Sequence, residues 1–163
     1  MQEVYELKHR YVLAVVDDGE EVHETKQLGF FTSDEKIDEA IAHYITQPGF
    51  QNYPDDFEIY IVEADVDDYN DTPGNFDGKV YYLAHEWYDG EYDYVTDIGY
   101  YSTQEKAEAA LRLYMEDEEL REHPDGFCID EYDLDTMHWT EGFCSWDEME
   151  WNEAPCISED IDN

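Results

Sequence analysis

Histidines and clustered carboxylates are the residues of this chain whose chemistry could support metal binding or catalysis. His9 and His85 take corresponding places in two similar stretches, and each lies among alternating apolar residues. A metal site shared by both histidines is one interpretation, but neither has an HxH or HxxxH partner at ligand spacing. We therefore favour two partly buried histidines, each with a satisfied hydrogen bond.

One acidic stretch has part of the pattern of a calcium-binding loop. Asp68, Asn70 and Thr72 have the first spacings of an EF-hand, but Pro73 stands where glycine is required and Lys79 where the final glutamate should be. The chain also lacks a GxSxG motif and a Gly-rich phosphate loop, and its cysteines have no activating basic neighbour. The sequence predicts no catalytic residue, no metal site and no cofactor, so we expect a protein that is not an enzyme.

A second acidic pattern is similar to the carboxylate frame of one restriction-type nuclease fold. It occurs twice, as Pro54-Asp55 with Glu63-Ala64-Asp65 and as Pro124-Asp125 with Asp133-Leu134-Asp135. Both copies lack the expected lysine, and the chain has no basic groove that could hold a phosphate backbone. A nuclease is therefore disfavoured, although a metal-dependent enzyme that uses clustered carboxylates stays open as an alternative.

The charge balance restricts the class of partner. The 163 residues include 45 Asp and Glu against 8 Lys and Arg, which gives a formal charge of −37. Nucleic acids and anionic membranes are bound through basic residues, so we expect direct contact with neither. A strongly negative protein attracts basic partners, although the same charge also improves solubility. Because 42% of the residues are hydrophobic, the chain should nevertheless fold around a core.

The cellular setting is predicted from two further features. No apolar run approaches the roughly 20 residues that cross a bilayer, and the first residues do not have the pattern of a signal peptide. The cysteines, Cys128, Cys144 and Cys156, are odd in number and lack CxxC spacing, which indicates reduced thiols. We expect a cytoplasmic protein.

The chain contains an internal repeat. Gly29–Asp65 aligns without gaps on Gly99–Asp135 at an offset of 70 residues, and Val4–His9 aligns on Val80–His85 at an offset of 76. The six-residue difference falls in the loop between the first two strands, Val15–Glu24 in the first copy and Asp89–Asp93 in the second. Such length differences are typical of exposed hairpin turns.

Each copy has the pattern of strand, strand, helix and strand. Thr32 with Glu35, and Ser102 with Glu105, fit the capping box at a helix start. The predicted second strands run over 25–31 and 94–101, the third strands over 57–63 and 127–134, and the second helix extends to about residue 119. The predicted fold class is α+β, with two tandem ββαβ repeats, antiparallel sheets with one helix each, packed as a pseudo-twofold pair.

The predicted organisation has four parts. The first repeat covers residues 1–70, a linker 71–78, the second repeat 79–143, and an acidic tail 144–163. From residue 122 to the end there are 14 acidic residues and no Lys or Arg, a charge block often found in interaction tails. The tail also contains Trp146 and Trp151, which either pack back on the body or contact a partner.

Residues 80–143 resemble a family of small uncharacterised bacterial domains. The resemblance is carried by the runs Val80–Glu86, Gly99–Ser102, Glu105–Ala107, His123–Phe127 and His138–Phe143, of which the last, His-Trp-Thr-Glu-Gly-Phe, is the most specific. The first copy resembles a diverged relative, with Asp68-Tyr69 in place of His138-Trp139. The resemblance implies a bacterial cytosolic setting and no particular activity. We expect Trp139 to anchor the end of the last strand by burial rather than to contact a ligand, with Gly142 turning the chain.

Three hypotheses follow from these features. The first is a non-catalytic acidic protein that neutralises a basic protein partner, as immunity proteins of nuclease toxins and DNA-mimicking inhibitors do. The second is an accessory module whose acidity serves solubility or salt adaptation, and the third is the carboxylate-based enzyme. For the first, the predicted contact residues are Asp17, Asp18, Glu20, Glu21, Tyr88, Asp89, Glu91, Tyr92, Asp93, Trp146 and Trp151.

Overall fold

The computed structural model describes residues 3–67, 69 and 74–143. In the first half of the chain, β1 (Tyr5–Val15) and β2 (Glu21–Phe31) form an antiparallel hairpin, followed by α1 (Asp34–Tyr44) and β3 (Phe57–Ile61). The strand order in this sheet is β2-β1-β3. The predicted tail and residues 71–73 of the predicted linker lie outside the described residues.

The second half repeats the same arrangement. Strands β4 (Lys79–Tyr88) and β5 (Asp93–Tyr101) form an antiparallel hairpin, and α2 (Gln104–Tyr114) precedes β6 (Phe127–Asp133), which pairs antiparallel with β4. The strand order is β5-β4-β6. The predicted α+β class, with two three-stranded antiparallel sheets and one helix for each, is confirmed, whereas pseudo-twofold packing stays a prediction.

Both hairpins have a bulge at the same place. In the first sheet Leu7 pairs with Gly29 and the next pair skips Leu28, and in the second Leu83 pairs with Gly99 and the next pair skips Ile98. An extra residue of this kind bends the strand and increases its twist. The β1–β2 hairpin is longer than predicted, because its strands continue to Val15 and from Glu21.

The helix starts differ from the prediction by one residue. The N-caps are Ser33 and Thr103, whose side chains accept hydrogen bonds from the backbone N–H of Lys36 and Lys106. The predicted capping boxes are therefore wrong in register. The residues predicted as caps are Thr32 and Ser102, and they bind aspartates from distant parts of the chain.

The second helix is shorter than predicted and ends at Tyr114. The cause is local, because Asp117 Oδ1 accepts hydrogen bonds from the backbone N–H of Glu119 and Leu120 and so competes with helical pairing. Carboxylates at a helix C-terminus are also disfavoured by the helix dipole. Leu120 instead turns into the core.

Each helix covers one face of its sheet. On α1 the buried residues are Ile37, Ala40 and Tyr44, and on α2 they are Ala107, Ala110 and Tyr114, as the helical spacing predicts. Within the described residues, no helix has the length and apolar character needed to cross a membrane.

The chain divides into two compact units, each made from two separate stretches. In the described part of the chain, the first unit combines residues 4–60 with 135–143, and the second combines residues 61–67, 69 and 74–134 with residue 3. The segment that follows each third strand therefore leaves the repeat that precedes it in sequence. By this division the first unit contains α1, and the second unit contains α2.

Candidate binding surface

The turn between β4 and β5 is held by one aspartate. Asp89 Oδ1 accepts hydrogen bonds from the backbone N–H of Glu91 (2.8 Å) and Tyr92 (2.7 Å), and Oδ2 accepts one from the Tyr94 hydroxyl (3.1 Å). The bonds from the Tyr92 and Glu91 amides hold the pKa of Asp89 below its usual value. Asp89 is therefore ionised at neutral pH and fixes the shape of the turn.

Aromatic and aliphatic side chains around this turn are exposed. Tyr88 is 62% exposed and Tyr92 59%, and Val95 on β5 is 58% exposed. The carboxylates of Glu91 and Asp93 are exposed beside them. Large side chains exposed among charges are typical of interaction surfaces.

Behind the turn, three rings form a stack. The Trp87 ring lies 3.8 Å from the ring centre of His123 and 4.5 Å from that of Tyr94, at angles of 11° and 12°. Trp87 and Tyr94 face each other across the hairpin. The stack stiffens the base of the turn and keeps the neighbouring backbone in place.

A shallow depression of about 480 Å³ lies at this end of the hairpin. It is lined by Glu86, Trp87, Tyr88, Asp93 and Val95. The pairing of Glu86 with Val95, and of Tyr88 with Asp93, places these four residues on one face of the sheet. The depression thus combines two carboxylates with a phenol ring and an aliphatic side chain.

The turn between β1 and β2 is acidic as well, but less aromatic. Asp17, Asp18 and Glu20 lie in the turn, and Glu21 is the first residue of β2. The apolar neighbour Val15 is 64% exposed, and Glu21 lies 3.3 Å from His23 Nε2. Each turn keeps its predicted contact residues at its own tip, but the two turns belong to different compact units. Trp146 and Trp151 lie outside the described residues.

The first unit contains a buried lysine that the sequence analysis missed. Lys26 is only 4% exposed, and its Nζ lies 2.5 Å from Glu24 Oε1. The same Nζ lies 3.9 Å from the ring centre of Phe143, 5.2 Å from Tyr11 and 5.4 Å from Trp139, which is cation–π distance. Burial alone would raise the pKa of Glu24, but hydrogen bonds from Lys26 and Tyr11 outweigh it and lower that pKa.

The His138–Phe143 segment closes this lysine cluster. Its backbone is held by bonds from His138 N to Leu28 O (2.8 Å) and from Phe143 N to Pro48 O (2.9 Å), and Gly142 turns the chain with φ +83°. A Cβ at Gly142 would approach Pro48 O to 2.5 Å, which explains the glycine.

The prediction for Trp139 is wrong. Its side chain is 51% exposed, and it contacts Lys26 rather than anchoring a strand by burial. Phe143 fills that packing role instead, because its ring stacks on Tyr11 and meets Phe50 edge-on at 4.8 Å.

One aspartate in each unit binds the start of the helix. In the second unit, Asp65 accepts hydrogen bonds from Ser102 N (2.9 Å) and Ser102 Oγ (2.7 Å) and pairs with Lys106 Nζ (3.1 Å). Asp65 is fully buried and has φ +64°, a left-handed conformation that aspartate tolerates better than most residues.

Asp135 repeats this arrangement in the first unit. It accepts hydrogen bonds from Thr32 N and Thr32 Oγ1, both at 2.9 Å, and pairs with Lys36 Nζ at 2.9 Å. Burial alone would raise the pKa of Asp135, but the Lys36 and Thr32 bonds outweigh it and lower that pKa. These aspartates are the last members of the nuclease-like acidic patterns, and here they bind a helix N-terminus. The matching offset of 70 residues for the aspartate, the hydroxyl residue and the lysine was the signal that could have revealed them.

All five lysines of the chain are paired with carboxylates of the same protein. Besides the pairs of Lys26, Lys36 and Lys106, Lys8 lies 3.4 Å from Glu6 and Lys79 lies 3.2 Å from Glu131. No Lys or Arg occurs from Val80 to Tyr101, a stretch that holds five carboxylates. Because β4 begins at Lys79, the whole β4–β5 hairpin has a formal charge of −4.

The two corresponding histidines are buried and hydrogen-bonded, which confirms that interpretation. His9 Nε2 donates to Tyr53 O (2.9 Å) and His85 Nε2 to His123 O (2.8 Å). Burial lowers the pKa of His9, although its bond to Tyr53 opposes the shift. Within the described residues, no three His, Cys, Asp or Glu side chains are grouped closely enough to hold a metal ion.

Comparison with known proteins gives one match. Residues 78–143, 66 of the 163, are similar to a family described as a domain of unknown function (DUF7336). No curated protein and no solved structure matches the chain. The match is consistent with the resemblance to an uncharacterised domain family, and it covers the second repeat together with the segment that closes the lysine cluster of the first unit.

Proposed function

We propose that this protein is a non-catalytic acidic binding protein that neutralises a basic protein partner. Inhibition of a nuclease or another nucleic-acid-binding protein, by an immunity protein or a DNA mimic, is the form of activity that suits the charge best. The principal contact surface in this proposal is the end of the β4–β5 hairpin.

The observation that carries the proposal is where the few cations are located. Each of the five lysines neutralises a carboxylate inside its own unit, so these cations do not offset Glu86, Glu91 and Asp93 at the end of the β4–β5 hairpin. On the β4–β5 hairpin this excess coincides with exposed Tyr88, Tyr92 and Val95. A surface that combines uncompensated carboxylates with exposed rings suits a basic partner, because charges steer the encounter and rings supply contact area.

The β1–β2 hairpin is a weaker candidate. Residues 5–31 hold six carboxylates and three Lys or Arg, which leaves a formal charge of −3. Its exposed apolar residues at and near the turn are aliphatic, among them Val15, Val16 and Val22. We assign it a supporting electrostatic role.

The test compares amide substitutions at two places with equal change in charge. The binding variant carries Glu86→Gln, Glu91→Gln and Asp93→Asn, which leaves Asp89 to hold the turn. The control variant carries Glu116→Gln, Glu118→Gln and Glu119→Gln after α2, all exposed positions. Each is titrated against a small basic nuclease, and used for pull-down from the native host, at about 0.05 M and about 0.5 M salt.

We expect the wild-type affinity to fall at least about tenfold between these salt concentrations, since exposed charges are screened. At low salt the binding variant should bind about tenfold more weakly than wild type, and the control variant within about twofold. Equal weakening of binding by both variants would show that binding depends on the overall negative charge and not on the end of the β4–β5 hairpin. Salt-independent binding, or no basic partner in the pull-down, would remove the proposal.

We further propose that the two halves arose by tandem duplication of the matched domain, with the first copy diverged, in a protein of the bacterial cytoplasm. The shared element order and the matching bulges support the duplication. The free thiol of Cys128 supports a reducing compartment. Secretion with an oxidised Cys128 would contradict that setting, and mass spectrometry of the native protein would detect it.

A further inference from the structure

Strand β5 lies at the edge of its sheet, and the part nearest the turn is open. Among the described residues, the strand order β5-β4-β6 leaves one side of β5 without a strand, and residues Asp93–Asp97 are all exposed. This stretch is about 17 Å long at strand spacing. Edge strands present unpaired backbone N–H and C=O groups that can accept another strand.

The same edge already accepts chain at its other end. Ala64 forms a parallel bridge with Tyr100, and Asp65 N donates to Tyr100 O at 2.8 Å. This bridge lies at the far end of β5 from the turn, next to the start of α2. The edge can therefore hold an added segment, and it continues from the bridge toward the exposed stretch Asp93–Asp97.

The first unit shows how such an edge is covered more completely. There the segment after β6 binds two carbonyls of β2, with Asp135 N donating to Phe30 O (2.7 Å) and His138 N to Leu28 O (2.8 Å). It then continues over Lys26, and the partly buried Phe143 packs against the core cluster of the first unit. Part of the corresponding segment of the second unit, after β3, lies outside the described residues.

We propose that β5 binds an extended, basic segment of the partner protein by strand addition over Asp93–Asp97. This inference rests on the proposed function and specifies how the basic partner is held. Backbone hydrogen bonds would fix the segment, and alternate lysine or arginine side chains would face Glu86 and Asp93 beside Tyr88. The other alternate side chains would lie against Tyr94.

Charge disfavours a second copy of this chain as the occupant. If two β5 edges paired antiparallel about Val95, Asp93 of one would oppose Asp97 of the other, and like charges directly opposite are destabilising. Natural edge strands are often protected by lysine, but β5 carries carboxylates and no Lys or Arg. An acidic edge of this kind repels a second copy of β5 and favours a strand with cationic side chains.

The experiment uses the full chain and a capped eight-residue peptide of alternating Lys and Thr as the probe. Its control is the same peptide N-methylated at two adjacent central residues, which blocks one N–H on each edge of the peptide. Affinity is measured at low salt, and amide hydrogen exchange is followed by NMR. Two protein variants of equal charge change accompany the wild type: Val95→Lys on β5 and Val22→Lys on β2, both at exposed edge positions.

We expect the unmethylated peptide to bind and to slow hydrogen exchange of backbone amides within Asp93–Asp97. The N-methylated peptide should bind about tenfold more weakly. Val95→Lys should weaken binding about tenfold and Val22→Lys no more than about twofold. Equal affinity of both peptides, or binding without protection of β5 amides, overturns strand addition but leaves the proposed function standing. If neither peptide binds, strand addition is overturned as well, and the nuclease titration then tests the proposed function separately.

Discussion

The two hairpins differ in how the acidic and aromatic side chains at corresponding positions are paired and covered. In the first unit, Tyr11 lies beside a buried lysine and its glutamate, and Phe143 covers them. In the second unit, Trp87 takes the position of Tyr11, Tyr94 stands opposite it instead of Glu24, and Thr96 takes the position of Lys26. The first unit pairs Glu24 with a buried cation that Phe143 covers (the closed end), whereas the second leaves carboxylates and rings exposed at the corresponding place (the open end).

The difference shows that one framework can serve stability at one place and contact at another. A cation buried inside a unit pairs with an acid of that unit, and it is then unavailable to attract or repel a partner. Where the cation is missing, the acids keep their full effect on solvent and on a partner. Mutations in the closed end should therefore change stability, and mutations in the open end should change binding.

The strongest way to break this comparison is to remove the ring that covers the first unit. Phe143→Ala should lower the free energy of unfolding by about 3 kcal/mol, because the ring packs against Tyr11 and Phe50 and leaves a cavity when removed. Urea denaturation measures the change. The control is Tyr92→Ala in the open end, for which we expect a change below about 0.5 kcal/mol. Equal losses for both variants would contradict the division into closed and open ends.

The second test compares the two helix-binding aspartates. Asp65→Ala should cost about 3 kcal/mol, since it leaves Lys106 and the Ser102 N–H without their buried acceptor. Asp135→Ala should cost about 1 kcal/mol, because that carboxylate is partly exposed.

Unfolding curves of both variants and of Asp125→Ala, an exposed acid, provide the measurement. A larger loss for Asp135 than for Asp65 would show that burial does not rank the two sites. A loss of more than about 0.5 kcal/mol for Asp125 would show that acid removal alone destabilises the chain.

These aspartates also show which features of the fold could not be predicted from the sequence. The periodicity of apolar residues predicted the strands, both helices and the buried faces of Ile37 and Ala107, because those patterns depend on local geometry. The capping boxes at Thr32 and Ser102 were also local predictions, and they failed because Asp135 and Asp65 reach them from distant segments. A hydrogen bond to an aspartate 103 or 37 residues away has no signature in the window that surrounds the helix.

The candidate surface could be predicted in part for the same reason. The exposed positions of Tyr88 and Tyr92 follow from their place in an acid-rich turn, and the structure places both there. The Lys26 cluster could not be predicted, because it joins a strand to a far later segment, His138–Phe143, whose counterpart in the first copy has diverged. The tail tryptophans lie outside the described residues.

The third prediction sharpens the contrast at the buried lysine. Lys26→Met keeps the side-chain length but removes the charge, and it should cost about 1 to 2 kcal/mol, because Glu24 loses its partner and the rings lose a cation. Thermal unfolding at low salt measures it. Lys79→Met is the matched control, since its pair with Glu131 is exposed and should contribute less than about 1 kcal/mol. If the control lost more than the buried site, the closed end would not depend on its internal cation.

The smallest expected effect is a pH dependence of the closed end. Burial keeps the pKa of His9 below its ordinary value of 6.5, so the unfolded chain binds the proton first as the pH falls. The stability contributed by neutral His9 is complete above pH 6.5 and is lost below it, by at most about 1.4 kcal/mol per pH unit.

The readout is the difference between wild type and His9→Gln in urea denaturation from about pH 7.5 to about pH 5. A difference that does not change across this range would show that His9 titrates alike in both states. Because the variant also loses the bond to Tyr53, only the slope with pH bears on the prediction, and the constant offset does not.

The exchange of segments after β3 and β6 has a consequence during synthesis on the ribosome. The main stretch of the second unit ends at residue 134, so it is fully synthesised by then. The hairpin of the first unit emerges earliest, but the segment that covers it, residues 135–143, is synthesised later. Tyr11 in the N-terminal hairpin and Phe50 after α1 therefore lack the covering ring of Phe143 until almost the whole described chain has left the exit tunnel. Premature termination before Phe143 would leave a nascent product whose earliest part is its least protected.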